Sequence, residues 1–270
     1  MIDGVISYAQ NAEDVVLWRL FRDRREPGFF IDVGAAHPVA DSVTKWFSVN
    51  GWRGINIEPV EYLFDQLVAD RPDDINLRIV CGAGAGTSRM TVADTSKWGH
   101  STIDPATSAS LSEAGLVATT IEVETLPLSD VIDRHAGGRP IDFLKIDVEG
   151  AEDQVLLGAD LGRTRPRVLV VEAVEPDSLV PSHERWEHLA TDNGYVCVLF
   201  DGLSRFYCQA DDAVARETLS LPAYYGDHFI TNREYVLRMT VENLRLLLPA
   251  CAEQLTSAIE VPSAPPAGTE

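Results

Sequence analysis

The sequence is poor in basic residues and has no long apolar run. Its 270 residues include 22 Lys and Arg against 42 Asp and Glu, which gives a formal net charge of −20. Such a charge repels a nucleic-acid backbone and an anionic membrane surface, so we expect neither as a partner. No stretch of about 18 apolar residues is present, and no transmembrane segment is therefore expected.

Cysteine motifs and leader signals are also missing. The four cysteines, Cys81, Cys197, Cys208 and Cys251, are far apart and form no C-x-x-C pair, which disfavours a zinc or redox site. We expect them to be small apolar residues, three of them within or beside strands. Residues 1–4 lack the basic and apolar regions of a signal peptide, so we predict a cytoplasmic protein.

Short apolar segments alternate with helical periodicity along the chain, the pattern of a parallel sheet covered by helices. A chain of this length suits one domain. We predict a Rossmann-like α/β fold with a central, mostly parallel sheet, helices on both faces and a terminal antiparallel hairpin. The predicted strands are residues 29–33, 54–57, 75–80, 143–147 and 168–172, and the predicted hairpin joins 195–200 to 206–208.

The predicted domain spans residues 1–257. It begins with a helix at 8–24, continues as a core at 28–210 with an antiparallel insertion near 88–125, and ends with a helical segment at 232–257. Residues 258–270 are rich in Pro, Ala, Ser, Gly and Thr, which predicts a disordered tail. The sequence leaves the oligomeric state open between a monomer and a homodimer.

Acidic residues end or follow four of the predicted strands: Asp32, Glu58, Asp147 and Glu172. In open α/β sheets, ligands bind beyond the carboxyl ends of the strands. Glu58, 26 residues beyond Asp32, suits the two ribose hydroxyls of a nucleoside cofactor. This feature fits NAD and S-adenosylmethionine equally.

The loop after the first of these strands separates the two cofactors. It reads D-V-G-A-A-H-P at residues 32–38, with one glycine and no Lys or Arg nearby. A dinucleotide site uses three glycines so that a pyrophosphate can approach the backbone. S-adenosylmethionine has no phosphate, and its sulfonium and ammonium groups favour carboxylates. The loop therefore favours S-adenosylmethionine.

Several motifs carry a family resemblance. They are S-Y-A-Q-N-A-E-D-V at 7–15, F-I-D-V-G-A-A-H-P at 30–38, G-W-R-G-I-N-I-E-P at 51–59, I-D-F-L-K-I-D-V-E-G-A-E at 141–152, P-S-H-E-R-W-E at 181–187 and F-D-G-L-S-R-F-Y at 200–207. Together they resemble the FkbM family of methyltransferases, and L-K-I-D-V-E-G-A-E is highly specific. One departure is Ala36, where the family often has Asn.

The resemblance implies a class I methyltransferase fold, S-adenosylmethionine as the donor, and O-methylation of a sugar or glycosylated metabolite, glycolipids included. The partner expected is thus a small-molecule or glycan acceptor. The predicted cofactor-binding residues are Tyr8, Gln10, Asp32, Gly34, Ala35, His37, Ser42, Glu58, Pro59, Gly82 and Asp147.

Methyl transfer to an alcohol requires that the two groups be aligned and that the hydroxyl proton be removed. The candidate catalytic residues are Asp147, Glu149, Glu172 and His183. Glu149 equally suits a capping role at the following helix. The carboxylates could also hold Mg²⁺, and the metal stays unassigned.

His183 and His188 are five residues apart, about 140° on a helix, so the zinc motif H-E-x-x-H is absent.

Two other functions stay open. An NAD(P)-dependent sugar oxidoreductase is disfavoured by the first loop and by the lack of a Tyr-x-x-x-Lys pair, and cofactor-binding calorimetry would decide it. A non-catalytic binding module on a methyltransferase scaffold is also possible, because fold does not dictate function. The absence of a G-x-S-x-G motif disfavours a hydrolase.

Within the insertion, His100, Ser101 and Thr102 either line an acceptor pocket or form a plain loop.

Overall fold

The computed structural model describes residues 4–176 and 178–247, without the side chains of residues 96–98 and 245–247. The strands in chain order are β1 (Val5–Ser7), β2 (Phe29–Val33), β3 (Arg53–Ile57), β4 (Ile75–Leu77), β5 (Val80–Cys81), β6 (Gly86–Ala93), β7 (Val117–Leu126), β8 (Phe143–Ile146), β9 (Val168–Glu172), β10 (Tyr195–Phe200), β11 (Ser204–Gln209) and β12 (Phe229–Thr231).

Helices connect most of these strands. They are α1 (Glu13–Phe21), α2 (Lys45–Val49), α3 (Glu61–Asp70), α4 (Pro105–Glu113), α5 (Leu128–His135), α6 (Glu152–Ala159), α7 (Leu161–Thr164), α8 (Glu187–Thr191), α9 (Ala213–Thr218) and α10 (Asn232–Leu247). Short 3₁₀ segments lie at Thr95–His100, His183–Arg185 and Tyr225–Asp227.

Seven strands form the central sheet in the order β10-β11-β9-β8-β2-β3-β4. The five strands from β9 to β4 are parallel, and β11 runs antiparallel to both β9 and β10. This arrangement confirms the predicted α/β class with a mostly parallel sheet and a terminal hairpin. The strand order reverses between β2 and β8, and a crevice opens beyond the carboxyl ends of strands at such a switch point.

Both faces of the sheet are covered, as β2 illustrates. Successive side chains of a strand point to opposite faces. Phe30 therefore packs with residues of α1, α2 and α9 on one face, whereas Ile31 and Val33 pack with residues of α5, α6 and α8 on the other. All five residues of β2 are buried, which explains why its sequence is a continuous apolar run interrupted only by Asp32.

The insertion forms a second, three-stranded sheet in the order β5-β7-β6, with α4 between β6 and β7. The single strand predicted at 75–80 is wrong, because the segment is divided between the two sheets. Residues 75–77 pair with β3, whereas Val80 and Cys81 pair with Thr125 and Leu126 of β7. This division places the insertion over one side of the crevice.

The first helix is shorter than the predicted 8–24 and spans Glu13–Phe21. The Asp14 carboxylate accepts hydrogen bonds from Ser7 Oγ and from the backbone N–H groups of Tyr8 and Ala9, which stabilises a loop before the helix. Ala12 has a left-handed φ of 60° and ends this loop. Residues 8–12 consequently run past the crevice instead of forming a first helical turn.

The C-terminal described segment is the helix α10, which packs beside β1 and β12. These two strands pair in parallel, so the two ends of the described chain meet. The predicted helical segment at 232–257 and the tail at 258–270 extend beyond residue 247, and residues 248–270 lie outside the described residues. Within the described part of the chain, no helix combines the length and apolar character needed to cross a bilayer.

Candidate functional site

Two adjoining cavities lie at the switch point. The first has a volume of about 410 Å³, and its walls come from the loops after β2 and β8, the end of β3 and the insertion. The second has a volume of about 640 Å³ and lies towards β9 and the β10–β11 turn. Four residues line both cavities, namely Gln10, His100, Asp147 and Glu149. These residues therefore mark the junction between the two spaces.

The loop after β2 forms the floor of the first cavity. The backbone N–H groups of Gly34 and Ala35 both donate to the main-chain oxygen of Ile57, at 3.0 and 3.1 Å. Gly34 has a φ of +77°, and a Cβ atom at this position would lie 1.8 Å from the main-chain oxygen of Asp147. Only glycine allows the loops after β2 and β8 to approach this closely.

Glu58 lines the first cavity at the end of β3 and is 4% exposed. Its Oε2 atom accepts from the Ala36 N–H at 2.9 Å, and its Oε1 atom accepts from the Val60 N–H at 2.8 Å. Burial raises the pKa of Glu58 to about 7, although these two N–H groups oppose the shift. Each oxygen retains a further lone pair, so the carboxylate can still accept hydrogen bonds from a ligand.

Lys145 is a site residue to which the sequence analysis gave no role. Its Nζ donates to the main-chain oxygen of Gly34 at 2.6 Å and lies 3.3 Å from Asp32 Oδ1 and 3.5 Å from Asp147 Oδ2. Burial alone would lower the pKa of Lys145, but the two carboxylates raise it above its usual value. A charged residue within the apolar strand β8 was the available signal, because buried lysines are almost always paired.

The loop after β8 is held from two sides. Glu149 and Gly150 both have left-handed backbone conformations, with φ of 57° and 99°. The Glu152 carboxylate accepts from the N–H groups of Val148 and Gly150, and the Thr102 hydroxyl donates to the main-chain oxygen of Glu149 at 2.7 Å. The contacts with Glu152 and Thr102 offset the strain of a left-handed Glu149 and fix the position of this residue.

The three predicted catalytic carboxylates come together. Asp147, Glu149 and Glu172 each offer one oxygen, and these oxygens lie within 4.8 Å of one another. Burial, followed by the charges of Asp147 and Glu149, raises the pKa of Glu172. Carboxylates this close in a partly buried setting share a proton or surround a cation, because their mutual repulsion is otherwise unfavourable.

Of the predicted cofactor-binding residues, six line the first cavity: Gln10, Gly34, Ala35, Glu58, Pro59 and Asp147. The remaining five do not reach the described wall of either cavity: Tyr8, Asp32, His37, Ser42 and Gly82. Asp32 is the clearest case, because its carboxylate accepts from Thr44 Oγ1 at 2.6 Å and pairs with Lys145 behind the wall.

The others of this group contact neighbouring backbone or side chains. His37 Nδ1 accepts from the N–H groups of Val39 and Ala40 and shapes the loop. Ser42 Oγ accepts from Arg71, the Tyr8 N–H is held by Asp14, and the Gly82 N–H donates to the main-chain oxygen of Leu126.

His183 also lies away from both cavities. It begins the 3₁₀ segment His183–Arg185, and its Nε2 atom lies 4.0 Å from Glu187 Oε2. The buried Trp186 separates this segment from α8. Among the predicted catalytic groups, Asp147 and Glu149 therefore lie at the junction with Glu172 beside them, whereas His183 does not.

The insertion contributes residues to the first cavity. His100, Ser101 and Thr102 line it, together with the apolar side chains of Met90 and Ile103. On sequence alone these three polar residues suit either a pocket wall or a plain loop, and the structure places them on the wall. Cys81 also lines this cavity, and burial raises the pKa of its thiol to about 12, so it is an inert wall residue.

No curated protein matches the chain. The model of a protein family described as the methyltransferase FkbM domain matches residues 32–197, which is more than half of the chain. The match begins within β2, at residue 32, and contains β3, β8 and β9, so it includes the junction residues His100, Asp147 and Glu149. The protein therefore belongs to the FkbM family of methyltransferases.

Proposed function

We propose that this methyltransferase transfers a methyl group from S-adenosylmethionine to a hydroxyl group of a sugar or glycosylated metabolite, such as a glycolipid. The observation that carries the proposal is the junction of the two cavities, where Asp147 and Glu149 line both. A donor in the first cavity and an acceptor in the second would meet at these carboxylates, as in-line transfer requires.

The first cavity suits this donor. The Glu58 carboxylate retains acceptor capacity for ribose hydroxyls, and the apolar side chains of Ile57, Ile79 and Met90 suit a purine ring. Asp147 lies where a cationic group would be stabilised. When bound, S-adenosylmethionine supplies an activated methyl group on a sulfonium sulfur. A dinucleotide fits less well, because the only Lys or Arg on the described wall, Lys145, is held by Gly34, Asp32 and Asp147.

The acceptor hydroxyl must lose its proton, and Glu149 is the proposed base. It lines both cavities, and Thr102 holds its backbone in position. Asp147 is already paired with the Lys145 ammonium and is less available as a proton acceptor. Glu172 lines only the second cavity, so it faces the acceptor and not the donor.

A second arrangement of the same three carboxylates would hold Mg²⁺. Their oxygens are of the type that this ion prefers, and the spacing within 4.8 Å favours it. Activity that is lost on adding EDTA and restored by Mg²⁺ would support the metal. Activity that survives chelation would leave Glu149 as a direct base.

Mass spectrometry tests the proposal. The protein is incubated with methyl-labelled S-adenosylmethionine and a panel of glycosides, with Glu149→Gln as the control. We expect label in an O-methyl ether of at least one glycoside, and a much weaker signal from the variant. If the donor binds but no glycoside is labelled, the proposed sugar acceptor is wrong and the binding-module alternative is favoured. If NAD binds in place of the donor, the oxidoreductase alternative is favoured.

A further inference from the structure

The second cavity has a strongly acidic wall. Three carboxylates line it without lining the first cavity, namely Glu172, Glu175 and Asp201. Asp147 and Glu149 at the junction bring the number to five. Among the described residues that line this cavity there is no Lys or Arg. A ligand in this space therefore meets negative charge from several directions.

Nearby cations offset only part of this charge. Lys145 Nζ lies 3.5 Å from Asp147 Oδ2, and Arg185 Nη2 lies 3.7 Å from Glu175 Oε1. Within the described part of the chain, Glu172 and Asp201 form no ion pair with a Lys or Arg. The Glu172 Oε2 and Asp201 Oδ2 atoms are also buried without a hydrogen-bond partner there. Buried carboxylate oxygens in this state are costly unless a ligand supplies a donor or a positive charge.

The fold does not require this excess of charge at Asp201. Its Oδ1 atom accepts from the N–H groups of Leu203 and Ser204 and thereby stabilises the β10–β11 turn. An asparagine could accept the same two hydrogen bonds with its own Oδ1 atom. The second oxygen is therefore not needed for the turn. Burial raises the pKa of Asp201, in the direction expected for a carboxylate that lacks a counter-charge.

We propose that the acceptor carries a positively charged amine, as an amino sugar does, and that Glu172, Glu175 and Asp201 recognise its ammonium group. This inference rests on the proposed function, since it takes the second cavity as the acceptor site. The same wall rejects acceptors that carry phosphate or carboxylate groups, because a like charge in this space is repelled. Neutral sugars bind, but without the ion pair.

The test measures binding and not turnover. The protein is first saturated with S-adenosylhomocysteine. Ligand-observed NMR then measures its affinity for three methyl glycosides, those of glucosamine, N-acetylglucosamine and glucuronic acid. The N-acetyl compound is the matched control, because it keeps the sugar and removes the charge. We expect glucosaminide to bind at least about fivefold more tightly than its N-acetyl counterpart, and glucuronide to bind most weakly.

Variants locate the effect. In the double variant Glu175→Gln and Asp201→Asn, the preference for the amine falls to within about twofold. The control pair Asp23→Asn and Asp192→Asn removes the same number of carboxylates, at exposed positions away from both cavities, and keeps the preference. Equal affinity for the amine and its N-acetyl form overturns the proposal, as does the absence of detectable binding for both. Binding of the neutral sugar that improves only with added Mg²⁺ also overturns it, because a metal then supplies the positive charge.

Calorimetry with S-adenosylmethionine alone distinguishes a failure of this inference from a failure of the proposed function. If the donor binds and glycosides are methylated without an amine preference, only this inference fails. If the donor does not bind, the proposed function fails whatever the sugar preference.

Discussion

The hydroxyl of Thr102 donates a hydrogen bond of 2.7 Å to the main-chain oxygen of Glu149, and this contact joins the insertion to the loop after β8. Thr102 is 1% exposed, and its own backbone pairs with Thr91 in both directions. The insertion therefore positions the proposed base through a rigid contact. Residues far apart in the sequence, 102 and 149, thus act at one point of the site.

Thr102→Val should lower turnover by about tenfold or more while leaving donor affinity within about twofold, because the shape is kept while the hydroxyl's hydrogen bonds to the Glu149 oxygen and from the Asp104 N–H are lost. Steady-state kinetics and calorimetry measure the two quantities. Thr102→Ser retains the hydroxyl and should keep most of the activity. A valine variant with normal kcat would show that the position of Glu149 does not depend on Thr102.

Glu149→Gln should reduce kcat by about 10² to 10⁴-fold, the usual contribution of a general base, with donor binding retained. His183→Ala serves as the comparison, because His183 lines neither cavity and its removal should leave turnover nearly unchanged. The two rates are compared at saturating acceptor. The reverse result, with the larger loss in His183→Ala, would transfer the role of base to the histidine.

Arg71 should be required for the loop after β2. Its side chain is fully buried and donates to Thr44 Oγ1, Asn56 Oδ1, Ser42 Oγ and the main-chain oxygen of Pro38, at 2.7 to 3.0 Å. Arg71→Met leaves these acceptors unsatisfied in the interior and should lower the free energy of unfolding by about 3 to 5 kcal/mol.

Denaturant unfolding checks this value. The control is Arg78→Met, which removes an exposed ion pair with Glu61 and should change stability by less than about 1 kcal/mol. Similar losses in the two variants would contradict a structural role for the network around Arg71.

Stability should fall as the pH rises from about 5 to about 8. Burial raises the pKa of Glu13 to about 8, of Asp14 to about 6 and of Glu152 to about 7. The folded protein therefore holds protons that the unfolded chain has released. This contribution to stability is complete below the unfolded pKa values and is lost as the pH passes the folded ones.

Thermal unfolding across this pH range measures the effect. Glu13→Gln should flatten the curve, because an amide keeps an acceptor for the Asn11 N–H and has no charge to bury. Glu113→Gln, at an exposed position, should leave the curve unchanged. A melting temperature that rises steadily from pH 5 to pH 8 would contradict the assignment.

Much of the fold was readable from the sequence because buried strands have a strong signature. The bounds of β2 and β9 were predicted correctly, since an apolar run between polar loops defines each of them. The helix α4 was missed although Asp104 caps it by accepting from the Thr107 N–H at 2.8 Å, a signal that the sequence does contain. The pairing of β1 with β12 was not predictable, because three-residue strands so far apart have no local signature.

The site was predictable only in part, because strand register decides which side chains reach the ligand. Asp32 was expected at the cofactor, but β2 and β8 pair with Asp32 directly beside Lys145, which holds the carboxylate inside the sheet. Ala36 has a left-handed φ of 48°, a conformation that asparagine tolerates better than alanine. The change from the family's Asn to Ala at position 36 thus affects a left-handed backbone conformation as well as a side chain.

The most direct test of the account is calorimetric titration of the protein with S-adenosylmethionine and, separately, with NAD. We expect the methyl donor to bind with one site and NAD not to bind. Glu58→Gln should weaken donor binding by about 10- to 100-fold, the range for loss of a charge-assisted hydrogen bond, whereas Glu61→Gln on the exposed start of α3 should bind normally. Unchanged donor affinity in Glu58→Gln, or binding of NAD in its place, would contradict the account.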